Sequence, residues 1–379
     1  MPTVLVGGVR TVTEILSNKF KERGHNVTWM LLHRIYNDDR DFPNDQQYFY
    51  LPDSNMMSED NVRCYHKFIE EHNIDIIINQ NGLYEGVKLI DTAKNKQVKI
   101  ISVLHNNPIL GYDWVWEDAL ILRNHTFTEK LKLVARIVLY RRTRKRLKTG
   151  ITEQFNSLKE GGSHINVLSP AYIETIKKFA PDLRNVSAIA NPNVYSDVNS
   201  CKKEKIVLYV GRIDNRAKRI QLLIKIWNQI EDKVKDWRLI IVGEGPDREV
   251  LEKASKKSDR IEFVGYQNPR KYYEKASILC MTSLYEGFPM TLTEAMQHGC
   301  VPVVFDSFPA AHDIISPGED GEIITPFDTK DYSKVLLNMM LDETYLNKLS
   351  NEARISVKRY DCDKIIDQWE ELFRKLNDK

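Results

Sequence analysis

The sequence predicts an α/β protein built from two doubly wound domains. The chain has 379 residues, and a single hydrophobic core stops growing at roughly 250 to 300 residues, so two domains are expected. Apolar runs of strand length recur between helical patterns in both halves, which is typical of βα units that feed parallel sheets. These runs carry Val, Ile and Leu at consecutive positions, as expected where helices cover both faces of a sheet.

The predicted strands follow these apolar runs. In the first half they are 26–32, 74–79, 99–104 and 165–168. In the second half they are 206–210, 237–242, 261–264, 278–281 and 301–305. An opening strand at 3–6, ahead of Gly7-Gly8, is short against the usual five or six residues. We therefore expect the chain to begin inside its first domain.

The join between the domains is expected where the pattern breaks at Asn191-Pro192-Asn193, before a polar stretch through Lys202 and Lys203. This places an N-terminal Rossmann-like domain at 1–195 and a second Rossmann-like domain at 196–355. A C-terminal helix over 356–379 is expected to pack back toward the N-terminal domain.

Composition limits the class of protein. The hydrophobic fraction of 42% and the charged fraction of 28% are ordinary for a globular protein. The five cysteines are odd in number and scattered without a CxxC pair, which argues against a disulfide framework or a structural zinc site. The sequence shows neither a signal-peptide pattern nor an apolar run of the roughly 18 residues that span a bilayer. A cytoplasmic protein is expected.

Charge is uneven along the chain. The net charge of +2 is too small to predict a nucleic-acid partner. Residues 130–148, however, contain nine Lys or Arg and no acidic residue, with apolar residues at helical spacing in the first half. One hypothesis places this segment on an anionic membrane surface, with the protein peripheral on the inner face of the cell membrane. The other is a solvated helix docked on the core, and the sequence favours neither.

The first candidate site follows the strand 206–210. A glycine, Gly211, ends the strand, and Arg212 and Lys218 lie where the carboxyl end of a parallel sheet opens into a crevice. Arg offers a planar fork to diphosphate oxygens and Lys a compact charge, so together they stabilise a departing nucleotide. Taken alone, the motif also fits two ordinary surface residues.

The second candidate site follows the strand 278–281. Pro289 suits the first position of a helix that runs to about His298. The free N–H groups of Met290 and Thr291 are then available to an anion. Glu286 and Glu294 flank this point, and carboxylates accept hydrogen bonds from sugar and ribose hydroxyls. A polyol ligand explains the pair, although Glu286 alone also fits an ordinary helix-terminus glutamate.

These motifs together resemble the donor-site pattern of glycosyltransferase family 4, a family of GT-B enzymes. The resemblance rests on Gly211-Arg212 with Lys218, and on Glu286 and Glu294 around Gly287-Phe288. It spans nearly the whole chain and is more specific in the C-terminal half. Further matches are 242–246, 263–266, 295–303, Gly7-Gly8-Val9-Arg10 and Arg23-Gly24-His25.

The resemblance implies a role for each matched residue, with the donor site in the cleft between the two domains. Arg212 and Lys218 bind the donor diphosphate, Glu294 the ribose hydroxyls, and Glu286 the hydroxyls of the transferred sugar. His105, at the end of a first-domain strand, matches a histidine that contacts the reacting sugar. The remaining donor-binding positions are Gly8, Gly211, Gly245, Tyr266, Phe288, Met290 and Thr291.

The resemblance also implies a reaction. It is transfer of a sugar, with retention and without a metal or other cofactor, from a nucleotide diphosphate sugar to a glycan or lipid-linked acceptor of a surface polysaccharide or glycoconjugate. The Glu286-Gly287-Phe288-Pro289-Met290 sequence is similar to the subgroup that uses UDP-sugars, including N-acetylhexosamine transferases. Asp39-Arg40-Asp41 matches the Asp-x-Asp of metal-using transferases, but among 53 acidic residues that string is expected by chance. The alternatives are a nucleotide-sugar 2-epimerase of the same architecture and a donor-binding module without catalysis.

Overall fold

A computed structural model shows the fold of the chain. It describes residues 7–31, 46–80, 82, 86–93, 97–109, 112, 127–160, 163–196, 198 and 201–378. The predicted opening strand at 3–6 and the Asp39-Arg40-Asp41 string lie outside these residues. The chain divides into two compact units, the first made of Met1–Ala190 with Ile365–Lys379 and the second of Asn191–Lys364.

The first unit contains two parallel sheets. A pair of strands, β1 and β2, forms one sheet, and the other has the order β3-β4-β5-β6. The four strands predicted in this half are confirmed as β1, β3, β4 and β5, whereas β2 and β6 were not predicted. The strands are β1 (Thr28–Leu31), β2 (Gln47–Tyr50), β3 (Ile76–Asn79), β4 (Lys99–Leu104), β5 (His164–Val167) and β6 (Val186–Ala188).

Helices of the first unit bury apolar stripes. Val12, Leu16 and Phe20 repeat at the spacing of one helix face and are all buried in α1. The helix α4 has 34 residues and contains the basic segment, whose end at 144–146 is exposed. Among the described helices, none is both long enough and apolar enough to cross a bilayer. The helices are α1 (Gly8–Glu22), α2 (Glu59–Glu71), α3 (Gly86–Asp91), α4 (Phe127–Glu160) and α5 (Pro170–Lys177).

The second unit has one six-stranded parallel sheet. Its order is β12-β11-β10-β7-β8-β9. Numbered within the unit, this is the doubly wound order 3-2-1-4-5-6, and the order reverses between β7 and β10. All five strands predicted here are confirmed, and only β12 was not predicted. The strands are β7 (Glu204–Val210), β8 (Arg238–Val242), β9 (Ile261–Gly265), β10 (Ala276–Met281), β11 (Val301–Phe305) and β12 (Glu322–Ile324).

Helices cover this sheet and complete its core. Trp227 of α7 and Leu336 of α12 are fully buried in one cluster with strand residues such as Ile241 and Val303. Strands β10 and β11 are buried along their whole length, which explains their continuous aliphatic sequences. The helices are α6 (Asn215–Lys218), α7 (Ile220–Ile230), α8 (Arg248–Ser255), α9 (Arg270–Lys275), α10 (Met290–Gln297), α11 (Ala311–Ile314), α12 (Thr329–Leu341) and α13 (Glu343–Ser356).

The last helix, α14 (Cys362–Asn377), returns the chain to the first unit. Its Trp369 and Phe373 pack against Phe20 of α1, with ring centroids 6.4 and 5.4 Å from that of Phe20. Arg23, just after α1, pairs with Asp367 at 3.0 Å. The first unit is therefore built from both ends of the chain.

Candidate active site

The loop after β7 is held against the loop after β8 by backbone contacts. Gly211 N–H donates to the carbonyl of Val242 at 3.0 Å, and Ile213 N–H donates to that of Glu244 at 2.8 Å. A Cβ on Gly245 would lie 2.2 Å from the carbonyl oxygen of Ile213, closer than any side chain allows. The glycine therefore permits the close approach that fixes the backbone around Arg212.

Arg212 and Lys218 are both positioned through their own backbone carbonyls. The buried Tyr209 hydroxyl donates to the carbonyl of Arg212 at 2.9 Å, and the side chain of Arg212 is exposed. The short helix α6 is capped by the carboxylate of Asp214. Thr282, directly after β10, donates its hydroxyl to the carbonyl of Lys218 at 3.0 Å. The loop after β10 therefore supports the helix that carries Lys218.

Lys218 and Glu286 form an ion pair, although they are 68 residues apart in sequence. Lys218 Nζ lies 2.6 Å from Glu286 Oε1, and the side chains are 27% and 11% exposed. The Ser283 hydroxyl donates to the same carboxylate oxygen at 2.5 Å. Burial and the nearby carboxylate of Glu286 raise the pKa of Tyr209 well above its usual value, so Tyr209 stays protonated as a donor. Two of the predicted site residues are thus in direct contact.

The N-terminus of α10 differs from the prediction by one residue. Pro289 is the residue before the helix, because its ψ of 102° is extended, and the first helical residue is Met290. The Met290 and Thr291 N–H groups donate to no described backbone carbonyl, and their binding of an anion stays a prediction. Phe288, just before them, is buried with its ring 5.2 Å from that of Tyr360. Phe288 therefore anchors the loop in the core.

Glu294 is buried inside α10 and bound to a residue that the sequence analysis did not single out. The hydroxyl of the fully buried Tyr273 donates to Glu294 Oε2 at 2.8 Å. Burial raises the pKa of Glu294, and the bond from Tyr273 opposes that rise. Tyr273 precedes a buried strand and resembles a core aromatic in sequence, so no polar signal pointed to it.

The remaining predicted residues are placed individually. Gly245 has the packing role described above, Gly8 begins α1, and Tyr266, just after β9, is 75% exposed. His105, in the first unit, lies at the carboxyl end of β4, with Nε2 2.6 Å from the amide oxygen of Gln80. Burial lowers the pKa of His105 to about 4, so its ring is neutral near pH 7. The structure leaves the predicted role of His105 as a prediction.

Strand order explains why these groups of the second unit meet. Arg212 follows β7, and the segment from Thr282 to Glu286 follows β10, the two strands between which the order reverses. Ligands of open α/β sheets bind at the carboxyl ends of the strands at this point. The site offers two cations, open N–H groups and carboxylates that can accept hydrogen bonds from hydroxyls. These groups are suited to a ligand that carries both phosphate and sugar.

Comparison with known proteins shows what the chain is related to. Residues 195–356 match the family model described as glycosyl transferases group 1. An uncharacterized glycosyltransferase of Haemophilus influenzae is 32% identical over 192 residues, which are 49% of this chain and 54% of that protein. The α-1,4-N-acetyl-D-galactosaminyltransferase of Campylobacter jejuni that acts on GalNAc-α-(1→4)-GalNAc-α-(1→3)-diNAcBac-PP-undecaprenol is 27% identical over 200 residues, 51% of this chain and 56% of that protein. The matched part thus spans about half the length of these relatives.

Solved structures show the same fold over a longer stretch. The lipopolysaccharide outer core galactosyltransferase WaaB superposes with a TM-score of 0.71 at 20% identity, covering 99% of this chain and 98% of that one. A point mutant of S. aureus TarM, in complex with Fondaparinux, α-GlcNAc-glycerol and UDP, superposes with a TM-score of 0.64 at 21% identity, covering 83% of this chain and 59% of that one. The chain has the GT-B fold, its residues 195–356 are homologous to glycosyltransferases of group 1, and none of these relatives supports the epimerase alternative.

Proposed function

We propose that the chain is a retaining glycosyltransferase that moves a sugar from a UDP-sugar to a glycan or lipid-linked acceptor. One observation carries the proposal: Lys218 and Glu286 meet at the reversal point of the second sheet, inside the segment that matches the glycosyltransferase family model. Arg212 and the open N–H groups of Met290 and Thr291 flank the same loops. Cation, N–H donors and carboxylates together suit a nucleotide sugar.

Each polar group has a separate part in donor binding. Arg212 and Lys218 bind the diphosphate, together with the N–H groups at the start of α10. Glu286 accepts hydrogen bonds from the sugar hydroxyls, and Glu294 accepts them from the ribose hydroxyls. Lys218 neutralises Glu286 in the structure, so neither charge is left uncompensated in a partly buried site.

The reaction requires the protein to stabilise charge more than to supply a general acid or a general base. The bond between the anomeric carbon and the diphosphate oxygen breaks, and a bond from the acceptor oxygen forms on the same face. The acceptor proton moves to the departing diphosphate, whose negative charge Arg212 and Lys218 stabilise. The protein holds the reactants in place, and the two cations supply the positive charge that a metal supplies in other transferases.

The acceptor and the location in the cell are extensions of this proposal. The Campylobacter relative is named for a PP-undecaprenol-linked acceptor, and the TarM structure contains UDP. Both support a lipid-linked glycan as acceptor and a UDP-sugar as donor. The exposed basic residues at the middle of α4 support peripheral association with the inner face of the cell membrane from the cytoplasm.

Incubation with a panel of UDP- and GDP-sugars tests the proposal. Each donor is tested with and without a membrane extract, and nucleotide release and donor identity are followed. We expect nucleotide release from a UDP-sugar that depends on the extract, with retained anomeric configuration in the product by NMR. Interconversion of the donor without the extract would indicate an epimerase, and binding without turnover on any donor would indicate a binding module.

A further inference from the structure

Behind the candidate site, a buried tyrosine contacts the carboxylate assigned to the ribose. Tyr273 lies in α9, which ends where β10 begins, and its side chain is completely buried. Its hydroxyl donates to Glu294 Oε2 at 2.8 Å across 21 residues of sequence. A buried hydroxyl that reaches a buried carboxylate fixes the position of both groups, because each satisfies the other.

The two oxygens of Glu294 differ in their surroundings. Oε2 accepts the bond from Tyr273, whereas Oε1 accepts no hydrogen bond from a described side chain and is not among the fully buried, unsatisfied atoms. The side chain as a whole is 8% exposed. One oxygen is therefore held by the protein and the other is left for a ligand hydroxyl.

Neighbouring groups keep Tyr273 in place. Its ring stacks on that of His298, with centroids 5.9 Å apart, and His298 contacts the backbone carbonyl of Glu294 through Nδ1 at 2.8 Å. Lys203 Nζ donates to the carbonyls of Tyr273 and Glu274 at 2.7 and 3.2 Å, at the end of α9. The tyrosine is thus fixed by its ring, its backbone and its hydroxyl.

We propose that Tyr273 is a positioning residue for donor binding, which holds Glu294 through Oε2 so that Oε1 faces the ribose hydroxyls. The inference rests on the proposed function, since it assigns the ribose to Glu294. Tyr273 does not touch the ligand and acts only through the carboxylate. A conservative loss of its hydroxyl should therefore weaken ribose recognition and leave the rest of the site intact.

The pH dependence of UDP binding, which follows the protonation of Glu294, gives a readout that a merely structural role of Tyr273 would not change. The groups that face Glu294 are Tyr273 from α9, His298 from its own helix and Tyr195 from the start of the unit. Tyr273 has a pKa well above its usual value and remains a donor throughout the accessible range. Removal of the Tyr273 hydroxyl raises the pKa of Glu294 further. When the pH is lowered, Glu294 of the variant therefore becomes protonated at a higher pH than Glu294 of the wild type.

Calorimetric binding of UDP and of 2′,3′-dideoxyuridine diphosphate tests the inference. The proteins compared are the wild type, Tyr273→Phe, Glu294→Ala and the matched control Tyr272→Phe, which removes a hydroxyl from the neighbouring residue of the same helix. We expect Tyr273→Phe to weaken UDP binding roughly 5- to 10-fold, as for loss of one typical hydrogen bond, because Tyr273 acts on the ligand only through Glu294. Binding of the dideoxy analogue should be equal in the wild type and the variant. The pH at which UDP affinity falls should also be higher in Tyr273→Phe.

The outcomes separate this inference from the function on which it rests. If Glu294→Ala weakens UDP binding but Tyr273→Phe does not, the donor site stands and the positioning role is wrong. Equal weakening of both nucleotides in Tyr273→Phe would show a general disturbance of the unit, and it too overturns the inference. Absence of UDP binding in the wild type overturns the proposed function and the inference together. A loss confined to UDP, with the shift in pH dependence and an unchanged Tyr272→Phe control, supports it.

Discussion

At the scale of single residues, the Lys218–Glu286 pair is the most informative contact of the site. Neither residue is fully buried, at 27% and 11% side-chain exposure, so under the proposed function an incoming diphosphate would replace the carboxylate as the partner of Lys218. Glu286 would keep the bond from Ser283 and accept hydrogen bonds from the sugar hydroxyls. The ion pair therefore leaves neither charge uncompensated, and we expect donor binding to rearrange it.

Loss of either cation should abolish turnover. Arg212→Ala or Lys218→Ala removes stabilisation of the departing diphosphate, which we expect to raise the barrier by about 3 kcal/mol or more, a rate loss of over 100-fold. Initial rates of nucleotide release measure this. Lys225→Ala, an exposed lysine of α7, is the matched control and should keep the wild-type rate. Near-normal transfer in either site variant would refute the assignment.

His105 should remain neutral well below its usual titration range. Burial lowers the pKa of His105 to about 4, so His105 binds its second ring proton at a lower pH in the folded chain than in the unfolded chain. The unfolded state then binds more protons between about pH 6.5 and 4, and stability is lost over that window by about 3 kcal/mol. Thermal unfolding against pH should show this loss in the wild type and less of it in His105→Gln. An imidazole NMR signal of His105 that titrates near pH 6.5 would contradict the expectation.

At the scale of elements, backbone hydrogen bonds join the loop after β7 to the loop after β8. Gly245→Ala places a Cβ 2.2 Å from the Ile213 carbonyl, so the loop must move and Arg212 moves with it. We expect weaker UDP binding and a loss of stability of about 1 to 3 kcal/mol. Gly150→Ala is the control, because it lies in α4 with open space around it and should be neutral or stabilising. Calorimetry measures the UDP affinity of both variants, and thermal unfolding measures their stability.

The exposed basic residues at the middle of α4 are tested by vesicle binding. Neutralising Arg142, Arg144, Lys145 and Arg146 to Gln removes exposed charges of the helix. If the helix lies on an anionic surface, co-sedimentation with vesicles rich in phosphatidylglycerol should fall at least 10-fold and should also fall with salt. The control neutralises four exposed lysines of the second unit, Lys225, Lys235, Lys256 and Lys257. Unchanged co-sedimentation of the α4 variant supports the alternative of a solvated helix.

Sequence patterns predicted all the central strands but only three of the six edge strands, β1, β3 and β9. Strands β4, β10 and β11 lie inside their sheets, and burial on both faces requires the consecutive aliphatic residues that identified them. The missed strands β2, β6 and β12 end their sheets, are three or four residues long and are mostly half-buried. A short edge strand needs few apolar residues, so its sequence resembles a loop, whereas the edge strands β1, β3 and β9 carry enough apolar residues to be predicted.

The candidate site was predictable to a similar extent. Lys218 and Glu286 were identified through the resemblance to the glycosyltransferase donor-site pattern, since each alone also fits an ordinary surface or helix-terminus residue, and the sheet brings them together. Tyr273 and Ser283 act through contacts of their hydroxyls, and a Tyr or Ser in sequence carries no sign of its partner. The Pro289 prediction was off by one residue because Pro fixes φ but leaves ψ free to be extended.

At the scale of the whole molecule, the second unit contains its own sheet and core, together with Arg212, Lys218, Glu286 and Glu294. Its first residues are tied to its last ones: Asn193 N–H donates to the carbonyl of Tyr360 at 2.7 Å, and Asn193 Nδ2 donates to that of Val357 at 3.0 Å. Tyr195 N–H and C=O both bond to the amide of Gln297. These contacts close the unit at Asn191–Lys364.

A polypeptide of residues 191–364 should therefore fold alone and bind UDP, and it should not transfer sugar because His105 and the rest of the first unit are missing. The shorter polypeptide 196–355, with the limits predicted from the sequence, lacks Asn193 and Tyr360. It loses two buried hydrogen bonds and the packing of Phe288 on Tyr360, so we expect it to be less stable by about 3 kcal/mol or more. Urea unfolding measures the free energy of unfolding of the two polypeptides, and calorimetry measures their affinity for UDP. Equal stability would show that the sequence-predicted limits are sufficient, and an unfolded 191–364 would show that the second unit depends on the first.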